Sequence, residues 1–330
     1  MSILLTSGLG FIGSHAASSL LESGREVVIL DNLSNSQESV HQKLELLGGK
    51  PIPFYKGDVR DDAVLDEIFS KHAISAVMHF AGLKSVAESV KNPILYYDNN
   101  VGGSIVLLKA MKKHNVYQLI FSSSATVYGI PHYLPYDESH PTNPINPYGQ
   151  AKLQVENILS DLAKSDDHWS IACLRYFNPV GAHPSSFIGE YPNNLMPYIT
   201  QVASKKRPYL TIYGDDYETK DGTGARDYIH VMDLAEGHAA ALKLIENQAG
   251  LHIINLGTGQ PYSVLEMISA FEKSTGQSIP VQKGKRRDGD LPIYYASVDK
   301  AKSVLGWQAK RSLNEMCESS WHFQTKIQEL

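Results

Sequence analysis

Short runs of consecutive apolar residues alternate with stretches of helical spacing through the first half of the chain. Ile3-Leu4-Leu5 reads as a buried strand, and Phe11 to Glu22 as the helix after it, with Ile12, Ala16, Leu20 and Leu21 on one side. Val27-Val28-Ile29-Leu30 is a second strand and Pro53-Phe54-Tyr55 a weaker third. Asp61 to Lys71 is helical, with Val64, Leu65 and Ile68 inward. Ala76-Val77-Met78, Leu119-Ile120-Phe121 and Ile171-Ala172-Cys173-Leu174 are further strands. A long helix near Gly102 to Lys113 lies between the first two of these.

Continuously apolar strands alternating with helices predict an α/β fold, a Rossmann-type doubly wound parallel sheet. Binding residues then belong just beyond the strands' carboxyl ends. After Asn178 the pattern changes. Pro, Asn, Gly and Tyr become frequent, strands shorten, and Pro179 to Asn194 reads as loop. Residues 1–178 are therefore expected to form a nucleotide-binding domain. Residues 179–330 are expected to form a smaller mixed α/β substrate domain over the sheet's carboxyl edge. A helix within Asp227 to Ile245 is placed to return to the first domain.

Composition narrows the function classes. The 330 residues are 42% hydrophobic and 20% charged, as in ordinary globular proteins, and the formal charge is −5. The absence of a basic excess argues against a nucleic-acid binder. Cys173 and Cys317 are the only cysteines and form no C-x-x-C, which argues against a disulfide framework or a structural zinc and fits a reducing compartment. No apolar stretch reaches membrane-spanning length, and the N-terminus lacks a signal-peptide pattern, so a cytoplasmic protein is expected. His79 and His230 flank strands with no second ligand at metal spacing, so both read as structural and no metal is expected.

Gly8, Gly10 and Gly13 satisfy G-x-G-x-x-G between the first strand and the first helix. Such a turn lets backbone amides approach a pyrophosphate at a helix N-terminus. Asp31 ends the second strand, where a carboxylate accepts from both adenosine ribose hydroxyls and repels a 2′-phosphate. The turn and the carboxylate together point to NAD.

Tyr148 and Lys152 share one helix face at i, i+4, on a helix with Asn146 placed to cap it and Pro147 in its first turn. A free phenol has a pKa of about 10, so it serves as a base near neutrality only if its phenolate is stabilised. A lysine one turn away supplies that stabilisation. Ser124, beyond the strand Leu119-Ile120-Phe121, is placed to share the substrate proton. The Tyr-x-x-x-Lys spacing also occurs on solvated helix faces. The glycine turn, the strand-end serine and the marked helix start single this one out.

Longer segments carry a resemblance. These are Asp31 to Ser36 (DNLSNS), His79 to Lys84 (HFAGLK), Phe121 to Gly129 (FSSSATVYG), Leu174 to Ala182 (LRYFNPVGA) and Gly224 to Val231 (GARDYIHV). The whole chain resembles the extended short-chain dehydrogenase/reductases, on their nucleotide-sugar epimerase branch. The resemblance implies that Tyr148 takes the proton from the 4-hydroxyl of a UDP-hexose and that the C4 hydride passes to NAD. The 4-keto sugar then turns in the site, and the hydride returns to its other face. It also implies a cofactor site of Gly8, Gly10, Phe11, Ile12, Gly13, Asp31, Asn32, Asn35, Ser36, Asp58, Val59, Phe80, Ala81, Gly82, Lys84, Asn99, Tyr148, Lys152 and Phe177. The UDP-sugar falls to Lys84, Ser124, Tyr148, Asn178, Asn194, Leu195, Tyr213, Arg226, Tyr228, Arg287, Asp290 and Tyr294. Family members are often homodimers, which implies a second copy of the chain as partner.

Arginine forks suit a diphosphate, which supports Arg226 and Arg287. On bare sequence Arg226 pairs equally well with the adjacent Asp227. Asp288 and Asp290 beside Lys285-Arg286-Arg287 argue against a nucleic-acid patch. Tyr213, Tyr228 and Tyr294, read as loop residues, are candidates for stacking on a ligand. Two departures from the family stand out. Serine replaces glycine at Ser7, at a cost of roughly 1–2 kcal/mol if the turn needs a positive φ. The loop Gly189 to Asn194 is also short. A bulky Tyr294 beside the sugar 2-position implies preference for UDP-glucose and UDP-galactose over their N-acetylated forms. The alternatives are an N-acetylhexosamine epimerase, another nucleotide-sugar enzyme of the family, and a non-catalytic NAD or nucleotide-sugar binder. A 4,6-dehydratase carries an acid pair after its active-site hydroxyl residue, whereas Ala125-Thr126 follows Ser124 here.

Overall fold

A computed structural model describes residues 1–191, 194–287 and 289–329. The N-terminal elements are β1 (Ser2–Thr6), α1 (Phe11–Glu22), β2 (Glu26–Asp31), α2 (Ser39–Gly48), β3 (Phe54–Lys56), α3 (Asp62–Lys71) and β4 (Ile74–His79). Then come α4 (Val86–Lys91), α5 (Pro93–Tyr96), a π-helical segment Tyr97–Gly102, α6 (Gly103–Lys113), β5 (Gln118–Ser124), α7 (Pro147–Ser165) and β6 (Ser170–Tyr176). Caps set several boundaries. The Asp61 carboxylate accepts from the backbone amides of Ala63 and Val64, and Asn146 from that of Gly149, with Pro147 opening α7.

The later elements are β7 (Asn178–Val180), α8 (Leu195–Ala203), β8 (Leu210–Tyr213), β9 (Ala225–His230), α9 (Val231–Ile245), β10 (Gly250–Leu256), β11 (Pro261–Ser263), α10 (Val264–Thr275), β12 (Val281–Gly284), β13 (Ile293–Tyr294) and α11 (Leu313–Glu329). Seven strands form one fully parallel sheet in the order β10-β6-β5-β4-β1-β2-β3. The order in which strands are added reverses between β1 and β4, the topological switch point at which such sheets bind ligands. Both faces are covered. Leu5, Ala16, Leu20, Leu234 and Ile254 pack on the side of α1 and α9. Leu4, Leu65, Leu107, Val155 and Trp169 pack on the side of α3, α6 and α7.

The doubly wound parallel sheet expected from the sequence is the one present. The seventh strand, β10, is not legible from apolar pattern alone, because Gly250, His252 and Asn255 interrupt its apolar run. Helix α9 packs on α1 and β10 joins the large sheet, so both return to the N-terminal layer. The segment expected to be loop opens with β7, paired with β9. Arg226, Tyr228 and Tyr294 lie on strands and Tyr213 at a strand end, not in loops. A smaller core of Met196, Ile199, Ile212, Tyr228, Phe271 and Cys317 closes over the sheet's carboxyl edge.

Candidate active site

A cleft of about 1290 Å³ runs along the carboxyl ends of β1, β2 and β4 and under β8, β9 and β13. At one end Asp31 is 4% exposed. Its carboxylate accepts from the Leu9 amide at 3.0 Å, the Leu33 amide at 2.9 Å and the Ser36 hydroxyl at 2.7 Å. A fixed, buried carboxylate at this strand end fits ribose hydroxyls and rejects a 2′-phosphate. Asp58 lies beside it. Its carboxyl is held down to about 2, chiefly by the Arg60 guanidinium, and Asn32 donates to it at 3.1 Å.

The glycine turn leads straight into α1. A Cβ at Gly13 would lie 2.3 Å from the Ser7 carbonyl oxygen, so the helix can start this close to the turn only with glycine there. Gly10 caps α1 without a side-chain bond. The first amides, Phe11 and Ile12, are therefore left for an anion. Ser7 has φ 54°, the left-handed backbone that disfavours a side chain. It lines the cleft where a pyrophosphate would approach the turn. Ser7→Gly should therefore relieve folding strain worth about 1–2 kcal/mol, and by removing a side chain from the cleft wall it should raise NAD retention. Cofactor content after parallel purification checks this; equal content in the two proteins would contradict it.

The catalytic candidates meet at the end of β5. Ser124 Oγ accepts from the Thr126 amide at 3.2 Å and the Thr126 hydroxyl at 3.0 Å. With two bonds accepted, the Ser124 proton is left to donate outward. Tyr148 is half-buried. Burial pushes its phenol up from 10, the Ser124 hydroxyl acts against that rise, and Tyr294 adds to it. Lys152 is 4% exposed, and its Nζ donates to the Ser122 carbonyl at 2.7 Å and lies 4.9 Å from the centre of the Phe121 ring. Burial pushes its ammonium down to about 8, against the nearby Glu156 carboxylate.

Behind Lys152, one turn on, Glu156 is clamped by Arg175 at 2.6 and 3.0 Å, and both side chains are buried. The sequence reading missed this pair, the Thr126 bonds and the Ser122 carbonyl. The Lys152–Glu156 spacing of four was the available signal. Asn99, on the π-helical segment, faces the cleft. The neighbouring Asn100 holds the Gly82–Lys84 loop by accepting from the Leu83 amide at 2.8 Å and donating to its carbonyl at 3.0 Å.

At the other end stand Asn178, Asn194, Leu195, Tyr213, Arg226, Tyr228, Arg287, Asp290 and Tyr294. The Arg226 guanidinium lies 4.6 Å from the centre of the Tyr294 ring and 3.9 Å from Asp290. It does not pair with Asp227. That carboxylate is fully buried and accepts from Thr258, Gly259 and Ala296, pinning the turn after β10. Arg287 stacks on Tyr213 at 3.9 Å, whereas Arg286 turns to Asp216 and Tyr217. Tyr294 Oη donates to Asn178 at 3.2 Å.

Some expected contacts lie behind the cleft wall. Gly8 and Gly13 build the turn, and Ser36 orients Asp31. Ile12 and Phe80 pack on the core, and Phe177 sits among Tyr136 and Ala296. His79 bridges Thr6 and Ser104, and His230 caps α9 and bonds Ser319, so both imidazoles are spent on structure. Among the described residues no group of three potential metal ligands lies together. Asp288, and Pro192 and Asn193 of the short loop, lie outside the described residues.

The chain matches the GDP-mannose 4,6 dehydratase family over residues 4–320. It is 54% identical over 326 residues to a UDP-glucose 4-epimerase of Neisseria meningitidis serogroup C, covering 97% of this chain and 96% of that one. A solved UDP-glucose 4-epimerase from Stenotrophomonas maltophila, with bound NAD and formylated UDP-arabinopyranose, superposes with TM-score 0.97. It is 48% identical and covers 100% of this chain and 99% of its own. The enzyme from Bifidobacterium longum, in complex with NAD+ and UDP, gives TM-score 0.96 at 50% identity and coverages of 99% and 98%.

Proposed function

The chain belongs to the UDP-glucose 4-epimerases, and from that premise we propose how its residues divide the work. The reaction is reversible, NAD-dependent epimerisation at C4 of a UDP-hexose, converting UDP-galactose to UDP-glucose through a 4-keto sugar. When bound, NAD supplies the hydride acceptor and donor and a positive charge beside the phenol. Asp31, Asp58 and the amides at the start of α1 are the groups that would hold it.

Ser124 keeps the sugar hydroxyl and the phenol in line, its own proton being free to move between them. Tyr148 takes the 4-hydroxyl proton and later returns it. Lys152 stabilises the phenolate by charge from a dry site, where that charge acts most strongly. Arg226 and Arg287 hold the diphosphate by paired donors, so the sugar can turn while the nucleotide stays fixed. The roomy cleft admits that turn.

The observation that carries this reading is one cleft with a ribose-type carboxylate at one end and two arginines at the other, with Ser124, Tyr148 and Lys152 next to the stretch of its wall formed by Gly82, Ala125, Thr126 and Asn146. Formation of UDP-glucose from UDP-galactose by the purified chain tests it, and inactivity with NAD supplied would contradict it. The 4,6-dehydratase chemistry named by the broader family is disfavoured. Thr126 occupies the position of an acid and binds Ser124.

Tyr294 carries the proposal on substrate range. Tied to Asn178 and packed on Arg226, its ring is fixed against the sugar end. We expect at least tenfold slower turnover of UDP-N-acetylgalactosamine than of UDP-galactose, narrowing in Tyr294→Ser. Comparable rates in the unaltered protein would contradict this.

The homodimer proposal rests on Val90, Ile94 and Leu95, which are 61%, 81% and 43% exposed on the neighbouring helices α4 and α5. Such a patch fits a second copy of the chain. Light scattering should give twice the 36.5 kDa of one chain, and Ile94→Asp should shift the mass toward one chain. A monomeric unaltered protein would contradict it. The two free, buried cysteines support a cytoplasmic setting. Among the described residues no helix is long and apolar enough to cross a membrane.

A further inference from the structure

Glu190 follows the segment that leaves β7 and precedes α8. Its side chain is 5% exposed. One carboxylate oxygen, Oε1, accepts from the Asn194 side-chain amide and lies 3.8 Å from Lys84 Nζ. The other, Oε2, is buried and has no hydrogen-bond partner among the described residues. It borders a small gap lined by Gly181, Met196, Thr200, Phe323 and Gln324. Lys84 and Asn194 both line the large cleft, from opposite sides. Lys84 comes from the loop after β4, beside the cofactor end, and Asn194 from the start of α8, beside the sugar-nucleotide end.

A carboxylate left with a bare buried oxygen is a poor structural device, because burial of an unpaired charge opposes folding. We propose that Glu190 is a positioning residue that ties Lys84 to Asn194 and so sets the spacing between the two walls of the cleft. This rests on the epimerase reading, because that reading gives the two walls their ligands. The charged group that acts on Glu190 among the described residues is Lys84, and the faces of α8 and α11 bordering the gap present Thr200, Ser320 and Gln324, which are uncharged.

Burial dominates over Lys84 and pushes the Glu190 carboxyl from 4.5 up to about 7. An acid whose folded pKa is raised is ionised only above that value, so the tie to Lys84 is made above about pH 7 and lost below it. Between about pH 4.5 and 7 the folded chain holds a proton that the unfolded chain has released. Stability therefore falls as pH rises through that window.

The test is Glu190→Gln in the full-length protein with NAD supplied, alone and combined with Lys84→Met. The amide keeps a partner for Asn194 but cannot pair with Lys84. The expected results are a rise in KM for UDP-galactose of about tenfold with kcat changed less, and a flatter rise of kcat/KM between pH 6 and 8. The melting temperature at pH 8 should be equal or higher. The effect of Glu190→Gln should shrink in the Lys84→Met background. An unchanged KM and pH profile would overturn the proposal, as would an activity loss that follows a lowered melting temperature or adds fully to that of Lys84→Met. Inactivity of the unaltered protein would instead strike the epimerase reading.

Discussion

Replacing Tyr148 with phenylalanine should lower kcat by about a thousandfold or more, with KM for UDP-galactose within a few-fold. The substitution removes one oxygen from a half-buried ring and leaves the ring in place. Ser124 then has no phenol to relay to, and its own hydroxyl is a far weaker base. Lys152 donates to the Ser122 carbonyl, and its ammonium is not a base while it holds its proton. NAD content and melting temperature should be unchanged, which separates lost proton transfer from lost binding. A variant keeping more than about a tenth of the activity would show that another group removes the 4-hydroxyl proton.

Lys152→Met should cost about a hundredfold or more in kcat and yet make the protein more stable. The ammonium is almost fully buried, and burial pushes it down to about 8. Because the folded pKa lies below the unfolded value of about 10.5, the unfolded chain binds the extra proton between pH 8 and 10.5. Stability of the unaltered protein therefore rises with pH through that window, and the penalty is fully present below pH 8. At pH 7 that penalty is on the order of 3 kcal/mol. Methionine of similar length removes it, so the variant should melt higher at pH 7, and the difference should vanish above about pH 10.5. Thermal unfolding across this range, beside kcat, checks both halves. A variant that loses both activity and stability at pH 7 would place Lys152 among structural residues. Retaining a charge that opposes folding is the pattern expected of a functional group.

The sheet and its ligand edge were legible because β1, β2, β4, β5 and β6 are unbroken apolar runs, whose burial on both faces only a covered parallel sheet provides. Strand β10 was not, because the polar Asn255 within it is satisfied by distant partners. Asn255 bonds Tyr128, Glu138 and Tyr136, contacts that leave no periodic trace in the chain. Residues near the chemistry were legible where local spacing placed them, as with Tyr148, Lys152 and the Asn146 cap. Where the position comes from tertiary contact they were not. Glu190, Arg175 and the bonds of Thr126 to Ser124 join elements far apart in the chain or depend on a turn conformation that spacing does not reveal. Ser7 is the converse case. The departure was visible in sequence, while the left-handed backbone that makes it costly is a property of the folded turn.

The central claim is that one cleft oxidises and then reduces the same sugar carbon, with Tyr148 moving the proton. The most direct measurement follows UDP-galactose labelled with deuterium at C4, in large excess over NAD, with sugar products and NADH read together. The account predicts conversion to UDP-glucose that keeps the deuterium at C4, with no growing pool of NADH. NADH accumulating in step with product, or loss of the label to solvent, would contradict it.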